Sequence, residues 1–543
     1  MKLSIPIILI ALVLFVLAYF TYGSFLKREW GLDKSNDTPA HSMNDGVDYV
    51  PAEAPVLLGH HFASIAGAAP IIGPIAASGF GWLPVLTWII IGGIFFGGVH
   101  DMGSLFTSVR NGGRSIGEVI NQNIGSTGKK LFSIFAWLTL ILVISAFMSI
   151  VAETFASTPS AATASILFIG LAIVFGIVRT RSNLSLGSLT VIGVVLLFIA
   201  VAIGLNFPIQ IGYNTWLIIL TAYIFVASVT PVWILLQPRD YLNSFLLYAL
   251  LIGGFVGIIV GGPSFELQSF TSFQTSSGYL FPVLFVTVAC GAVSGFHSLV
   301  ASGTTSKQLN KETDSQMIGY GGMLIESFLA VIALITAAIV TKGQYSELLA
   351  NGGPVNVFSN GIGNLAANYG IPFKVGMNFA ALAVSAFAMT TLDTATRLAR
   401  FIFQEYFIDA DSVEKSDSPL SNMYVATLIT VVLSAALTYS GGWSTLWPIF
   451  GSANQLLAAL ALLSLSVWLA QNDKKNFYTV IPMVFMFAVT LTALVFLVYQ
   501  NLAGGSMILA VLGILLFALA IVLVKQSYKH LTKDPEEQER MSA

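Results

Sequence analysis

Long runs of hydrophobic residues, separated by short polar segments, dominate the pattern of this chain. A helix needs about 20 apolar residues to cross roughly 30 Å of hydrocarbon. Ten-residue segments with the period-two alternation of a membrane β-barrel are not present. The pattern therefore predicts an all-α, polytopic membrane protein with about 15 transmembrane helices. We predict these helices at residues 3–22, 55–78, 82–109, 131–153, 162–178, 186–204, 214–236, 242–262, 280–303, 316–340, 375–396, 421–439, 442–470, 478–499 and 503–524.

Charged residues are too rare for a water-soluble protein of this length. The 543 residues include 24 Lys and Arg and 26 Asp and Glu, which is 9% of the chain, against about 25% in soluble domains. This composition excludes a soluble enzyme and a nucleic-acid-binding protein, and it makes membrane lipid the expected surroundings. The single cysteine, Cys290, excludes an internal disulfide and a cysteine-based zinc site. Because the chain also carries no nucleotide-binding motif, we expect no enzymatic activity, no metal and no cofactor.

The distribution of basic residues predicts the orientation of the helices. When the loops are numbered in order, 21 of the 24 Lys and Arg residues fall in alternate loops, and only Lys2, Lys342 and Lys374 fall in the other set. Since cytoplasmic loops retain Lys and Arg, we expect the N-terminus outside and the C-terminus in the cytoplasm. Residues 1–22 begin like a signal peptide, but no small-residue cleavage site follows, so we expect a retained first helix.

Two of the predicted helices, 55–78 and 214–236, contain glycine and proline near their middle. Proline removes a helical hydrogen bond, and backbone broken at membrane depth must line a cavity or be buried in protein. A simple kink is one interpretation of each break. The two helices are five positions apart and therefore inverted, which is typical of the substrate site in transporters with inverted repeats. The candidate substrate-binding residues are His60, His61, Ser64, Gly67, Ser228, Thr230, Trp233 and Gln237.

A second group of candidates consists of polar and ionisable residues inside the predicted helices. His100 and Asp101 are either a proton-sensitive pair or a gate in which Asp101 binds Arg110 or Arg114. The small and hydroxyl residues of 291–298 either face the first break or serve close helix packing. The candidate residues for ion coupling or gating are His100, Asp101, Ser294, His297, Ser298 and Glu326.

Three intramembrane carboxylates need partners, because an ionisable group at membrane depth is costly. Glu326 is either a proton relay or a polar contact between helices. Asp393 is expected to pair with Arg397 one turn away on the same helix face. Glu153, near the outer end of its helix, is expected to lie at the membrane interface.

Several ungapped strings resemble the carbon starvation protein A (CstA) family. They are GVDYVPA at 46–52, GHHFASIAGAAPIIGP at 59–74, GGVHDM at 97–102, RNGGRSIG at 110–117, WILLQPRDYL at 233–242 and SGFHS at 294–298. The resemblance implies a bacterial inner-membrane secondary transporter related to the amino acid–polyamine–organocation superfamily, with a five-plus-five inverted-repeat core. It also implies uptake of peptides during nutrient limitation, or of pyruvate as in close relatives, driven by protons. The chain is shorter than the long enteric members, so functions of their extra segments are not expected here.

These expectations combine into the hypothesis of an alternating-access symporter for short peptides or pyruvate, with a proton as coupling ion. Sodium is the alternative ion, since carbonyls at the first break and the hydroxyls of Ser294 and Ser298 offer oxygen ligands. A membrane-embedded metabolite sensor is the alternative class of function. The expected divisions are 1–54, an N-terminal helix and cytoplasmic segment; 55–410, the ten-helix core; 411–524, four C-terminal helices; and 525–543, a cytoplasmic tail. The sequence does not indicate an oligomeric state.

Overall fold

The computed structural model describes residues 3–45, 49–182, 185–231, 235–407 and 419–531, and this part of the chain is almost entirely helical. A short antiparallel hairpin, β1 (Gln274–Thr275) and β2 (Gly278–Tyr279), lies in the connection before α14. The helices are α1 Ser4–Ala18, α2 Ser24–Trp30, α3 Pro39–Ser42, α4 Ala54–Ala66, α5 Ala69–Ala77, α6 Trp82–Gly92, α7 Gly98–Arg110, α8 Ile116–Ile124, α9 Ser126–Ser157, α10 Pro159–Arg181, α11 Leu186–Asn206, α12 Tyr213–Val229, α13 Leu236–Gly261, α14 Leu280–Val288, α15 Phe296–Gly303, α16 Gly322–Ala338, α17 Lys342–Ala350, α18 Gly353–Ala367, α19 Phe373–Tyr406, α20 Met423–Ser440, α21 Trp443–Gln471, α22 Phe477–Ala503 and α23 Met507–Leu531.

All fifteen predicted hydrophobic runs are helical in the described part of the chain. Within the same residues, thirteen helical segments are long and apolar enough to cross a membrane by themselves. The pair α4 and α5, bent by 43° at its break, accounts for the run at 55–78, and the shorter apolar helix α12 accounts for the run at 214–236. The prediction of an all-α polytopic membrane protein is therefore confirmed.

Four helices form one packed group. The helices α9, α12, α19 and α20 all contact one another. Two further helices each contact one helix of this group and one interrupted helical pair. Helix α13 contacts α19 and α4, and helix α21 contacts α9, α14 and α15. Continuous helices therefore surround the two interrupted helical pairs, α4–α5 and α14–α15.

The second interruption predicted from the sequence is wrong in position. Helix α12 ends at Val229 and α13 begins at Leu236, so Pro231 lies in a connection between two helices instead of in the middle of one. A proline shortly after a helix end is common because it cannot continue the helix. The second interrupted span lies at 280–303, where α14 ends at Val288 and α15 begins at Phe296.

The end of α12 is bound by arginines that the loop count had placed in the cytoplasm. Arg397 donates to the carbonyl oxygens of Ala227 and Thr230, and Arg400 donates to that of Ser228 at 2.8 Å. The last carbonyls of a helix have no partner within the helix, and basic side chains can satisfy them. Arg400 is buried and intrahelical, so its position does not reflect loop charge.

The predicted pair of Asp393 with Arg397 is also wrong. The carboxylate of Asp393 binds the guanidinium of Arg239 on α13 and accepts a hydrogen bond from the Tyr223 hydroxyl at 2.7 Å. Arg239 and Asp393 are both buried, so this ion pair joins α13 to α19 inside the protein. A buried charge requires a close partner in a fixed geometry, and Arg397 is occupied by the carbonyls of α12.

Candidate functional site

The first break in the helical backbone lies between α4 and α5. Gly67 there has φ +40°, a conformation that favours glycine. A Cβ atom at Gly67 would lie 2.3 Å from the Thr391 hydroxyl oxygen on α19, so the backbone comes very close to that helix. Pro70 follows in the first turn of α5, where its missing N–H costs no hydrogen bond. The break therefore leaves a helix C-terminus and a helix N-terminus facing the same space.

The second break, between α14 and α15, is held open by a residue of α21. The backbone carbonyl of Asn454 accepts from the Gly295 N–H at 3.1 Å, and its side-chain oxygen accepts from the Phe296 N–H at 2.9 Å. The Asn454 amide also donates to the Ser294 hydroxyl at 3.1 Å. These contacts satisfy the N–H groups that begin α15, which have no helical partner. Asn454 is not among the site residues predicted from the sequence. The one local signal near it is Pro448, a proline inside α21.

A small enclosed cavity lies between the two breaks. Its volume is about 10 Å³, which leaves room for about one water molecule. In this conformation the space between the breaks is therefore closed, and a substrate requires it to widen. The cavity is lined by Ile65, Gly67, Ala69, Val143, Phe147, Cys290, Phe296, Thr391 and Phe450.

Two aromatic residues that line this central cavity, Phe147 and Phe450, pack on Trp447. The ring centres of Phe147 and Phe450 lie 6.2 and 5.0 Å from that of Trp447 and 5.9 Å from each other. The Trp447 indole N–H donates to the carbonyl of Thr287 in α14 at 3.0 Å. This aromatic cluster of Phe147, Trp447 and Phe450 thus connects α9 and α21 to the interrupted helix α14.

A chain of buried ionisable residues lies beside the second break. Asp101 on α7 binds His100 Nδ1 through one carboxylate oxygen and His297 Nδ1 through the other, each at 2.7 Å. On the opposite edge of the ring, His297 Nε2 lies 3.4 Å from Glu326 on α16 without forming a hydrogen bond. We call Asp101, His297 and Glu326 the acid–histidine chain. Asp101 therefore contacts His100, and Arg110 binds Glu312 instead of Asp101. A proton-sensitive role of the His100–Asp101 pair stays a prediction.

Glu326 is the least satisfied member of the acid–histidine chain. The side chain is fully buried, and neither of its carboxylate oxygens has a hydrogen-bond partner within the described residues. A buried, unpaired carboxylate is costly, so a proton on Glu326 would lower this cost. Cys290 lies nearby, and one donor atom from each of Cys290, His297 and Glu326 falls within 4.8 Å of the others, a spacing that a metal ion could also use.

The two histidines at the first break lie in different surroundings. His61 is buried, and its Nδ1 lies 2.8 Å from the hydroxyl of Thr305, which follows α15. Its ring also lies beside Gly322, one turn before Glu326 on α16, since a Cβ there would be 3.5 Å from the ring. His60 is half-buried, and its carbonyl accepts from the Ser64 hydroxyl at 2.9 Å. His61 is therefore brought close to the acid–histidine chain, whereas His60 is not joined to it by a hydrogen bond within the described residues.

The other predicted residues divide between the central site and its periphery. The Ser298 hydroxyl donates to the Gly295 carbonyl at 2.7 Å, within the second break. Ser228 and Thr230 lie at the end of α12, where their carbonyls bind Arg400 and Arg397, and they do not line the central cavity. Trp233 lies outside the described residues, and so does the side chain of Gln237.

Comparison with known proteins identifies the family. The model of the family "Carbon starvation protein CstA" matches residues 3–352 and 346–493. The chain belongs to the CstA family. It is similar to the "Peptide transporter CstA" of Campylobacter jejuni, with 35% identity over 90% of this chain and 79% of the relative. The namesake of Bacillus subtilis is 30% identical over 98% of both chains, and the "Pyruvate/proton symporter BtsT" of Escherichia coli is 31% identical over 90% of this chain and 81% of the relative.

Solved structures place this CstA-family chain in a known fold. A manganese transporter of Eremococcus coleocola, solved in complex with an aromatic bis-isothiourea substituted compound, matches with a TM-score of 0.54 over 90% of this chain and 99% of that chain. At 13% identity the likeness concerns the fold alone. That fold is of the LeuT type, which agrees with the predicted inverted-repeat fold.

Proposed function

We propose that this chain is a proton-coupled secondary transporter that takes up short peptides or pyruvate by alternating access. The observation that carries the proposal is the meeting of two interrupted helices next to a buried carboxylate–histidine–carboxylate chain. The names of the relatives, a peptide transporter and a pyruvate/proton symporter, support the substrate classes and the coupling ion. The concentration of basic residues at one end of the helices supports an inner-membrane location with the C-terminus in the cytoplasm.

The substrate carboxylate would bind where α5 begins. The N-terminus of a helix carries a partial positive charge that attracts anions. In the first turn of α5, Pro70 has no N–H and the Ile71 and Ile72 N–H groups donate to the Ala68 carbonyl, so the Ala69 N–H would be the donor to the substrate. Gly67 allows this backbone to approach the cavity without a side chain, and Thr391 supplies a hydroxyl from the opposite wall. A peptide and pyruvate both carry a carboxylate, so this part of the site would serve either substrate.

The acid–histidine chain would carry the coupling proton. His297 belongs to the first turn of α15, whereas Glu326 belongs to the continuous helix α16. When Glu326 holds a proton, the chain loses one negative charge and α15 can move away from α16 with a smaller electrostatic cost. When α15 moves, the 3.4 Å approach of His297 Nε2 to Glu326 is lost, and the proton can leave to the other side. The movement of one interrupted helix would thus couple proton release to substrate release.

We further propose that the transport core extends beyond the predicted boundary at residue 410. In this arrangement α4–α5 and α14–α15 are the first helices of two inverted halves, α9 and α19 correspond, and so do α13 and α21. The packing of α13 on α4 and α19, mirrored by that of α21 on α14, α15 and α9, supports this assignment. The core would then end with α21 at Gln471, and the hairpin of α10 and α11 would be an insertion in the first half.

Uptake into proteoliposomes tests the proposed function. Labelled dialanine and labelled pyruvate would be offered with and without an inward proton gradient, and with sodium replaced by choline. We expect gradient-stimulated uptake of at least one substrate and no effect of choline. Stimulation by sodium at constant pH would instead establish sodium coupling. Equilibrium binding without uptake under any gradient would contradict transport and favour a metabolite sensor.

A further inference from the structure

A second, larger cavity opens at the ends of α9, α12, α20 and the α17–α18 turn. It has a volume of about 610 Å³, within the roughly 300–1,000 Å³ of small-molecule sites. Helix α9 carries Lys129 near its other end, so this cavity opens on the face opposite the basic loops. Its polar lining includes Glu153, Tyr213, Asn351 and Thr438. We call it the outer cavity.

Glu153 gives the outer cavity a negative charge. Among the described lining residues it is the one charged side chain, and the other polar groups are hydroxyls, amides and backbone. Glu153 is half-buried, and within the described residues its carboxylate forms no ion pair. A partly desolvated carboxylate without a counter-ion attracts a cation and repels an anion. The outer cavity is therefore built for a ligand with a positive group.

The same helix connects the outer cavity to the central one. Val143 and Phe147 of α9 line the central cavity, and Ser149 and Glu153 line the outer cavity. Ten residues separate Val143 from Glu153, which is about 15 Å along a helix axis. The aromatic cluster, which includes Phe147, lies on this path. A solute that moved along α9 from the outer face would meet Glu153 before it reached the helix breaks.

We propose that the outer cavity is a recognition site for the free ammonium group of a short peptide, with Glu153 as its counter-ion. This inference rests on the proposed function and narrows its substrate. A dipeptide spans at most about 7 Å, so its ammonium group would bind Glu153 first, and its carboxylate would reach the start of α5 only after the peptide has moved on to the central cavity. Pyruvate carries no cation, so the outer cavity would not favour it. The Ser149 and Tyr213 hydroxyls, 2.9 Å apart, and the Asn351 amide are the neighbouring polar groups for the peptide bond.

Kinetics of uptake by the Glu153→Gln variant test this site. We expect the KM for dialanine to rise roughly tenfold, because a charge-assisted hydrogen bond is lost, while uptake at saturation stays close to that of the wild type. The KM for N-acetyl-dialanine and for pyruvate should not rise, because neither carries an ammonium group. Glu347→Gln, on the exposed face of α17, is the matched control and should leave every KM unchanged.

These measurements distinguish failure of the ammonium site from failure of the proposed transport function. An equal rise of KM for free and acetylated dialanine, or no rise for either, would overturn the ammonium site while transport stands. Wild-type uptake of pyruvate alone would also overturn it. If the wild type transports neither substrate, the proposed function fails. Equilibrium binding of labelled dialanine to the solubilised protein then still tests the outer cavity, since roughly tenfold weaker binding by Glu153→Gln supports the site and equal binding contradicts it.

Discussion

Removing the charge of Glu326 tests the coupling mechanism. The Glu326→Gln substitution keeps the size of the side chain and breaks no hydrogen bond, since neither carboxylate oxygen has a partner within the described residues. The substitution removes the carboxylate that would take up the coupling proton and that lies 3.4 Å from His297 Nε2. We therefore expect a folded protein that binds and exchanges substrate but no longer couples this exchange to protons.

The size of the effect follows from the proton gradient. With one proton per substrate, a difference of one pH unit can drive about tenfold accumulation, because it corresponds to about 1.36 kcal/mol. The wild type should approach this ratio in proteoliposomes with an inward gradient, and Glu326→Gln should stop at equal concentrations. Exchange of external labelled substrate for internal unlabelled substrate needs no net proton movement, so it should survive in the variant.

The matched control is Glu266→Gln, which changes an exposed carboxylate in the connection after α13. It should accumulate substrate as the wild type does. If Glu326→Gln also accumulates substrate up to the wild-type ratio, Glu326 does not carry the coupling proton. Loss of exchange together with accumulation would instead assign Glu326 a structural or binding role.

Three further substitutions test separate parts of the structure. Gly67→Ala would place a methyl group 2.3 Å from a hydroxyl oxygen at a φ of +40°; we expect a cost of about 1–3 kcal/mol in thermal unfolding and a loss of substrate uptake. Arg239→Met leaves the buried carboxylates of Asp393 and Asp240 without their cation and should cost about 3–5 kcal/mol. Adding Asp393→Leu should recover part of this cost, since Asp240 stays unpaired, and no recovery would contradict the pairing. Trp447→Ala should open the aromatic cluster and raise the rate at which a maleimide labels Cys290, the single cysteine, several-fold; an unchanged rate would show that these rings do not close the central cavity.

The positions of the membrane helices could be predicted because each depends on a local property, whereas thirteen of the fifteen predicted helices are long enough to cross by themselves within the described residues. A run of about 20 apolar residues is helical in a bilayer whatever its neighbours are. The first break could be predicted for the same reason, since Gly67 and two prolines interrupt one run. The second break could not be distinguished by proline alone, because Pro231 ends one helix at its connection to the next. In the true break, the backbone of Gly295 is held by Asn454 of the distant helix α21.

The pairing of buried charges was the part that sequence could not supply. Asp393 and Arg397 lie at helical spacing, yet Asp393 binds Arg239 on another helix. Sequence spacing identifies partners on one helix face, but the choice between a local and a distant partner depends on how helices pack. The acid–histidine chain shows the same limit, because its three members come from α7, α15 and α16. Each of the three residues could be identified as a candidate from the sequence. Their arrangement could not, because it depends on how the three helices pack.

A structure determined with bound substrate tests the central claim most directly. With dialanine or pyruvate bound, we expect density between Gly67 and Phe296, in a central cavity wider than its present volume of about 10 Å³. The substrate carboxylate should lie within hydrogen-bond distance of the Ala69 N–H, at the start of α5. Substrate bound instead at the end of α12, near Ser228 and Thr230, would contradict this account and support the position of the second break expected from the sequence.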